Sequence, residues 1–165
     1  MLKNINIKAV LGILLLSIFM GIFYNSFSSD GIDFIRNEVI INYVKLGENI
    51  TENNLRGIDL AQTIKLFNEK SALFIDARDQ WDFKKNHITG AINIPEFSFS
   101  SNDPKLSNIS KDQLIIVYCS GDDCDISKRL AVQMSEIGYN NLYVFVGGIT
   151  AWTEAELPTI KGKDE

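Results

Sequence analysis

The sequence predicts an α/β fold of three layers: a central parallel sheet covered by helices on both faces, preceded by an N-terminal hydrophobic helix. Three observations predict it. Residues 72–77 (apart from Asp76), 114–118 and 142–145 are short apolar runs, as expected of strands buried on both sides. Segments with apolar residues at helical spacing lie between them, and strands alternating with helices imply a parallel sheet. Residues 9–29 carry no charge, and residues 9–24 read AVLGILLLSIFMGIFY, apolar apart from Ser17.

The uncharged run comes first in the chain. Lys3 and Lys8 precede it, and all 21 acidic residues follow it. A helix needs about 20 apolar residues to cross a bilayer, whereas a signal-peptide core needs about 7–15. The run falls between the two, so two placements stand: an uncleaved anchor, or a signal cleaved near the small residues Ser26 and Ser28. Both put the body of the chain outside the cytoplasm, because flanking positive charge stays inside. Residues 1–29 are therefore read as anchor or signal, 30–57 as a juxtamembrane extension or linker, 58–160 as the folded domain and 161–165 as a charged tail.

Residues 30–57 satisfy two patterns at once. Ile32, Ile35, Val39, Ile40, Tyr43 and Val44 fit helical spacing, while FIRNEVIINYV is equally rich in strand formers. GENITENN reads as a loop. From Ile58 the elements separate. Asp59 is placed to cap a helix to about Asn68, with Leu60, Ile64 and Phe67 as its stripe. The strand of residues 72–77 follows, and Asp79 is placed to cap a short helix through Lys85. Residues 91–94 form an extended segment ending at Pro95, and residues 114–118 a second buried strand. A helix over residues 126–137 presents Leu130, Met134 and Ile137 on one face and stops at Gly138. The strand of residues 142–145, the Gly147-Gly148 turn and a helix around Trp152 complete the domain.

Composition excludes several classes of function. A 165-residue chain that is 45% hydrophobic and 22% charged packs as one ordinary domain with an appendage, not as a disordered polymer. Beyond residue 29 only 14 basic residues face the 21 acidic ones, a net charge of −7, so no basic footprint for nucleic acid exists. Two cysteines make no disulfide framework, and one histidine beside them makes a poor zinc set. No cofactor and no metal is expected. The membrane contact would be the hydrophobic segment, not surface charge.

Chemistry points to Cys119. In parallel α/β sheets ligands collect at the carboxyl ends of strands, beside helix amino termini. Cys119 stands there, in IIVY-C-SGDDCD-ISKRLAVQM, where loop N–H groups and a helix terminus favour a thiolate. Gly121 is expected to permit a tight concave turn.

These residues also carry a family resemblance. LFIDARDQWDFKKNHITGAINIP, IIVYCSGDDCDIS and NNLYVFVGGITAWTEAELPT resemble, in order, three signatures of the rhodanese-like domain, together covering about residues 58–160. The resemblance implies sulfur transfer. Cys119 would take a sulfane sulfur from a small donor such as thiosulfate and pass it, as a persulfide, to a thiol or other nucleophilic acceptor. It also implies that His87 sits in a turn and holds the active loop. Asp76 and Arg78 are expected to form a structural ion pair near the strand end.

The active loop, Ser120, Gly121, Asp122, Asp123, Cys124 and Asp125, departs from the family's common basic form. A helix terminus stabilises an anion by about 0.3–1 kcal/mol. One exposed like charge at about 4 Å opposes it by about 1 kcal/mol. The three aspartates therefore cancel the loop's help unless they point outward or Asp125 is engaged as the helix N-cap. The longer loop resembles that of related phosphatases, but Asp125 stands where their arginine belongs, and that reading is rejected. Cys124 is either a small buried residue at the loop base or a resolving thiol for Cys119. Trp81, Phe83 and Trp152 are expected to pack in the core or at its rim, and Tyr118 to face a covering layer. Three functions stay open: an exported or tethered sulfurtransferase, a rhodanese-like binding or sensor module of little turnover, and a thiol–disulfide redox protein using Cys119 and Cys124.

Overall fold

The computed structural model describes residues 7–27, 41–43, 55–121 and 124–161. The chain divides into two units, Met1–Glu38 and Val39–Glu165. In the first, α1 (Ile7–Phe27) is a single helix of 21 residues. At 1.5 Å per residue it is about 31 Å long, the thickness of a bilayer's hydrocarbon core. Its mean hydropathy is 2.2, and none of it is buried.

The second unit is built on a six-stranded sheet. In chain order the strands are β1 (Ile41–Tyr43), β2 (Leu55–Ile58), β3 (Leu73–Asp76), β5 (Ile92–Asn93), β6 (Ile115–Tyr118) and β7 (Leu142–Phe145). Their spatial order is β1-β2-β7-β6-β3-β5, and every neighbouring pair is parallel. A separate antiparallel pair joins β4 (His87–Ile88) to β8 (Thr159–Ile160). The helices are α2 (Leu60–Asn68), α3 (Gln80–Lys85), α4 (Ile126–Glu136) and α5 (Gly148–Glu154).

Side-chain alternation explains the three layers. Along β6, Ile115 and Val117 join one core with Leu130, Ala131 and Met134 of α4. Ile116 and Tyr118 join the other, with Leu66 of α2 and Ile149 and Trp152 of α5. Successive strand residues point to opposite faces, so a strand covered on both sides must be apolar throughout.

Local sequence sets the element ends. Asp59 and Gln62 form a capping box at α2, with Gln62 N donating to Asp59 Oδ1 at 2.8 Å and Asp59 N to Gln62 Oε1 at 3.1 Å. Asp79 accepts from Asp82 N at 2.8 Å and caps α3. Gly138, at φ +93°, ends α4. There Gly138 N donates to the Ser135 carbonyl at 2.9 Å and Tyr139 N to that of Met134 at 3.2 Å, a Schellman motif.

Two expectations are corrected. The domain does not begin at residue 58: β2 starts at Leu55 and lies inside the sheet, between β1 and β7. Residues 30–40 and 44–54, including the helix-like stretch and GENITENN, lie otherwise outside the described residues, as do 162–165 of the tail. The stripe of Leu60, Ile64 and Phe67 packs against the core as expected, and Thr63 and Leu66 beside it are the buried residues of α2. Thr63 is tolerated there because its hydroxyl donates to the Asp59 carbonyl at 2.7 Å. Finally, Trp81 packs in neither core nor rim: it is 77% exposed.

Candidate active site

Cys119 follows β6 directly and is 1% exposed. Its main chain is held on two sides. Ala77 N of the β3 end donates to the Tyr118 carbonyl at 2.9 Å. The start of α5 supports the loop from the other side: Ile149 N donates to the Cys119 carbonyl at 2.9 Å and Thr150 N to that of Ser120 at 3.0 Å. This close approach needs a glycine at position 148. Gly148 has φ +56°, and a β-carbon there would lie 2.5 Å from the Cys119 carbonyl oxygen and 2.8 Å from Gly121 N. Gly121 itself does not carry this demand, contrary to the sequence expectation. Its φ is outside the left-handed region, and a β-carbon would make ordinary 3.7 Å contacts. The conformational requirement of the cysteine loop therefore sits in the opposing turn.

The sulfur has three close neighbours. Cys119 Sγ lies 3.2 Å from Ser127 Oγ and 3.2 Å from the Cys124 carbonyl oxygen, and it is joined to Cys124 Sγ in a disulfide. Ser127 is buried in the first turn of α4. When Cys119 is a thiolate, that hydroxyl can donate to it, and a hydrogen bond to the charged form favours it. The half-buried Cys124 is positioned by its own backbone, whose N–H donates to the Gly121 carbonyl at 3.0 Å.

The loop carboxylates divide. Asp122 and Asp123 lie outside the described residues. Asp125 occupies the N-cap position of α4 but makes no side-chain cap bond, contrary to expectation. Its carboxylate pairs with Lys128 Nζ at 2.9 Å instead, which offsets its charge beside the thiol. Arg129 is engaged elsewhere: Nε and Nη2 donate to the two Glu96 oxygens at 2.9 and 3.0 Å, and this hydrogen bonding raises the guanidinium pKa. Glu96 N in turn donates to the Ala77 carbonyl at 3.1 Å, tying the α4 start to the β3 end.

A buried polar frame stands beside the loop. Arg78 Nη2 meets Asp76 Oδ2 at 2.6 Å, Arg78 Nε meets Oδ1 at 3.0 Å, and Arg78 Nη2 also donates to the Asn86 carbonyl at 2.7 Å. Burial works to lower the Arg78 pKa, but the Asp76 hydrogen bond and charge outweigh it and hold the group above its usual value. Tyr118 faces the covering layer of α2 and α5, and its hydroxyl accepts from Ile88 N at 3.1 Å. Burial, then the Asp76 charge, pushes the Tyr118 phenol far above its ordinary range, so it stays neutral. His87 lies on β4 rather than in a turn. Its Nδ1 is 2.8 Å from the Phe83 carbonyl and its ring stacks on Phe83 at 3.8 Å, so the described ring contacts are to Phe83, not to the cysteine loop. Trp152 is fully buried and donates through Nε1 to the Pro158 carbonyl at 3.0 Å.

The structure thus brings together Cys119, Ser120, Gly121, Cys124 and Asp125 at one strand end, with Asp76 and Arg78 behind them. Sequence reasoning missed Ser127 and Gly148. Ser127 was legible only as an interior helix residue, and Gly148 as half of a glycine pair whose partner surface was unknown. Among the described residues, no three His, Cys, Asp or Glu side chains converge as metal ligands.

The fold is thus an α/β domain whose central parallel strand β6 ends at a buried cysteine, ahead of the amino terminus of α4. Residues 59–155 match the family model of the rhodanese-like domain, and the chain belongs to that family. It is 28% identical over 112 residues to the uncharacterized protein YibN of Escherichia coli strain K12, spanning 67% of this chain and 76% of that protein. A match at 26% identity to the tRNA uridine(34) hydroxylase of Erwinia tasmaniensis spans 72% of this chain but only 37% of the hydroxylase. Among solved structures, the BH2092 protein of Bacillus halodurans superposes with a TM-score of 0.57 at 26% identity, over 62% of this chain and 74% of that one. A rhodanese-related protein of Thermoplasma volcanium shares the fold, with a TM-score of 0.52 at 24% identity, over 64% of this chain and 97% of that one.

Proposed function

We propose that this chain is a sulfurtransferase acting outside the cytoplasm, either tethered by α1 or released from it, in which Cys119 carries a sulfane sulfur as a persulfide. One observation carries the reading: the Cys119 sulfur is buried at the end of β6 with the Ser127 hydroxyl 3.2 Å away. That hydroxyl and the first turn of α4 stabilise a thiolate. The thiolate attacks the outer sulfur of a donor such as thiosulfate, the sulfur–sulfur bond of the donor breaks, and sulfite leaves with the bonding pair. Cys119 then holds the transferred sulfur until a nucleophile accepts it. Membership of the rhodanese-like family supports this chemistry. The length and hydropathy of α1, together with Lys3 and Lys8 ahead of its uncharged core, support an extracytoplasmic domain.

Sulfite release tests the sulfur step. The reduced full chain in detergent, given thiosulfate, is expected to release one sulfite per chain, and Cys119→Ser to release none while still folding. Equal release by the Ser variant would overturn the assignment. A reporter fused after Glu165 tests the placement, since activity confined to the cytoplasm would end that part of the reading.

A further inference from the structure

We infer that Cys124 is the first acceptor of the Cys119 persulfide, so that the transferred sulfur leaves as hydrosulfide and the domain comes to rest as the Cys119–Cys124 disulfide. The inference rests on the persulfide reading above and names the acceptor that reading leaves open.

The geometry selects which sulfur is attacked. A persulfide on Cys119 has an inner sulfur, Sγ, and an outer, transferred one. Cys119 and Cys124 have Cα atoms 6.4 Å apart and their Sγ atoms are joined directly, with no third sulfur between them. A Cα separation of about 4.4–6.8 Å is what a disulfide spans. Cys124 is therefore positioned to reach the inner sulfur. It already lies against that sulfur, whereas an external thiol would first have to enter the loop. The Cys124 backbone is held for the attack by its N–H bond to Gly121, and its carbonyl oxygen lies 3.2 Å from Cys119 Sγ. These are the only two cysteines in the chain, so no other thiol in the molecule competes.

The step balances as written. The Cys124 thiol, deprotonated, attacks Cys119 Sγ. The Sγ–S bond to the transferred sulfur breaks, and that sulfur takes the bonding pair and the Cys124 proton and leaves as hydrosulfide. The Cys124 sulfur is oxidised, the outer sulfur is reduced to sulfide, and Cys119 Sγ keeps the oxidation level it had in the persulfide. A further cycle needs an external dithiol, which attacks the Cys119–Cys124 disulfide and is itself oxidised to a disulfide. The acceptor class is thus a dithiol reductant rather than a small nucleophile that carries sulfur away.

Two products separate the two steps. The reduced full chain in detergent, freed of reductant and kept anaerobic, is mixed with thiosulfate, with a donor-free sample alongside. Sulfite reports loading of Cys119, and sulfide reports resolution. Wild type is expected to release one sulfite and one sulfide per chain and to end about 2 Da lighter than its reduced form, as a disulfide. Cys124→Ala is expected still to release sulfite, to retain about 32 Da of added sulfur, and to lose at least tenfold in sulfide per sulfite. The isosteric Cys124→Ser repeats the test with the loop's packing preserved. Wild type that keeps the added sulfur as stably as Cys124→Ser, with sulfite released by both, overturns the inference and leaves the persulfide reading standing. No sulfite from any form overturns both.

Discussion

Replacing Gly148 by alanine is the sharpest test of how the cysteine loop is held. The added β-carbon would lie 2.5 Å from the Cys119 carbonyl oxygen, 2.8 Å from Gly121 N and 2.8 Å from the Ser120 carbonyl carbon. All three are backbone atoms, so no side chain can turn away. The left-handed φ of +56° adds a second penalty. An L-residue in that conformation costs about 1–2 kcal/mol, and overpacking against fixed neighbours about 1–3 kcal/mol. Their sum, about 2–5 kcal/mol, is a large part of a domain's usual 5–15 kcal/mol, yet it leaves most chains folded. The strain relaxes by pushing the loop and α5 apart, which loosens the two hydrogen bonds from Ile149 N and Thr150 N. Displacing Cys119 by about 1 Å would slow sulfur loading by about 100-fold. Urea denaturation of the full chain in detergent measures the first effect, and the rate of sulfite release the second. Gly121→Ala is the control: its new contacts are at 3.7 Å, and the change should stay within about 1 kcal/mol. A Gly148→Ala variant within about 0.5 kcal/mol of wild type, with an unchanged rate, would refute the reasoning.

Three further substitutions follow from the same packing. Tyr118→Phe leaves the buried Ile88 N–H without its acceptor at 3.1 Å and should cost about 1–3 kcal/mol in the same urea titration. Asp76→Ala strands Arg78, whose side chain is 6% exposed, and should cost about 3–5 kcal/mol, whereas the exposed Asp82–Lys85 pair should be nearly silent when Asp82 is replaced. Ser127→Ala, made with Cys124→Ala to remove the disulfide, deletes a donor to the thiolate. A hydrogen bond to a charged group contributes about 1.5–3 kcal/mol, so the midpoint of the pH dependence of Cys119 alkylation should rise by about one to two units. A midpoint unchanged or lowered would show that the hydroxyl does not face the thiolate.

The central strands and their helices were legible because each rests on a local rule. β6 and β7 are apolar throughout, and β3 is so up to Asp76, because both their faces are covered. Asp59, Asp79 and Gly138 mark element ends because their side chain, or lack of one, satisfies the terminal backbone groups. The first two strands were not legible. β2 reads LRGI, in which Arg56 and Gly57 break the apolar pattern, and its strand character comes from parallel pairing with β1 and β7. At the site, the position of Cys119 followed from the end of β6, but its partners come from elsewhere in the fold. Gly148 is required by a loop 27 residues before it in the chain, counted from Gly121. Asp125 looked like a cap by residue type. Lys128, one turn on, drew its carboxylate away. Trp81 reads as core by composition, yet α3 has no buried residue for it to join.

The central claim is that Cys119 is the sulfur-accepting nucleophile, and intact mass tests it most directly. The reduced full chain bearing Cys124→Ala, treated with thiosulfate, should gain about 32 Da, one sulfur. Peptide mapping should place that sulfur on Cys119. No gain, or an equal gain after Cys119→Ser is added, would contradict the account.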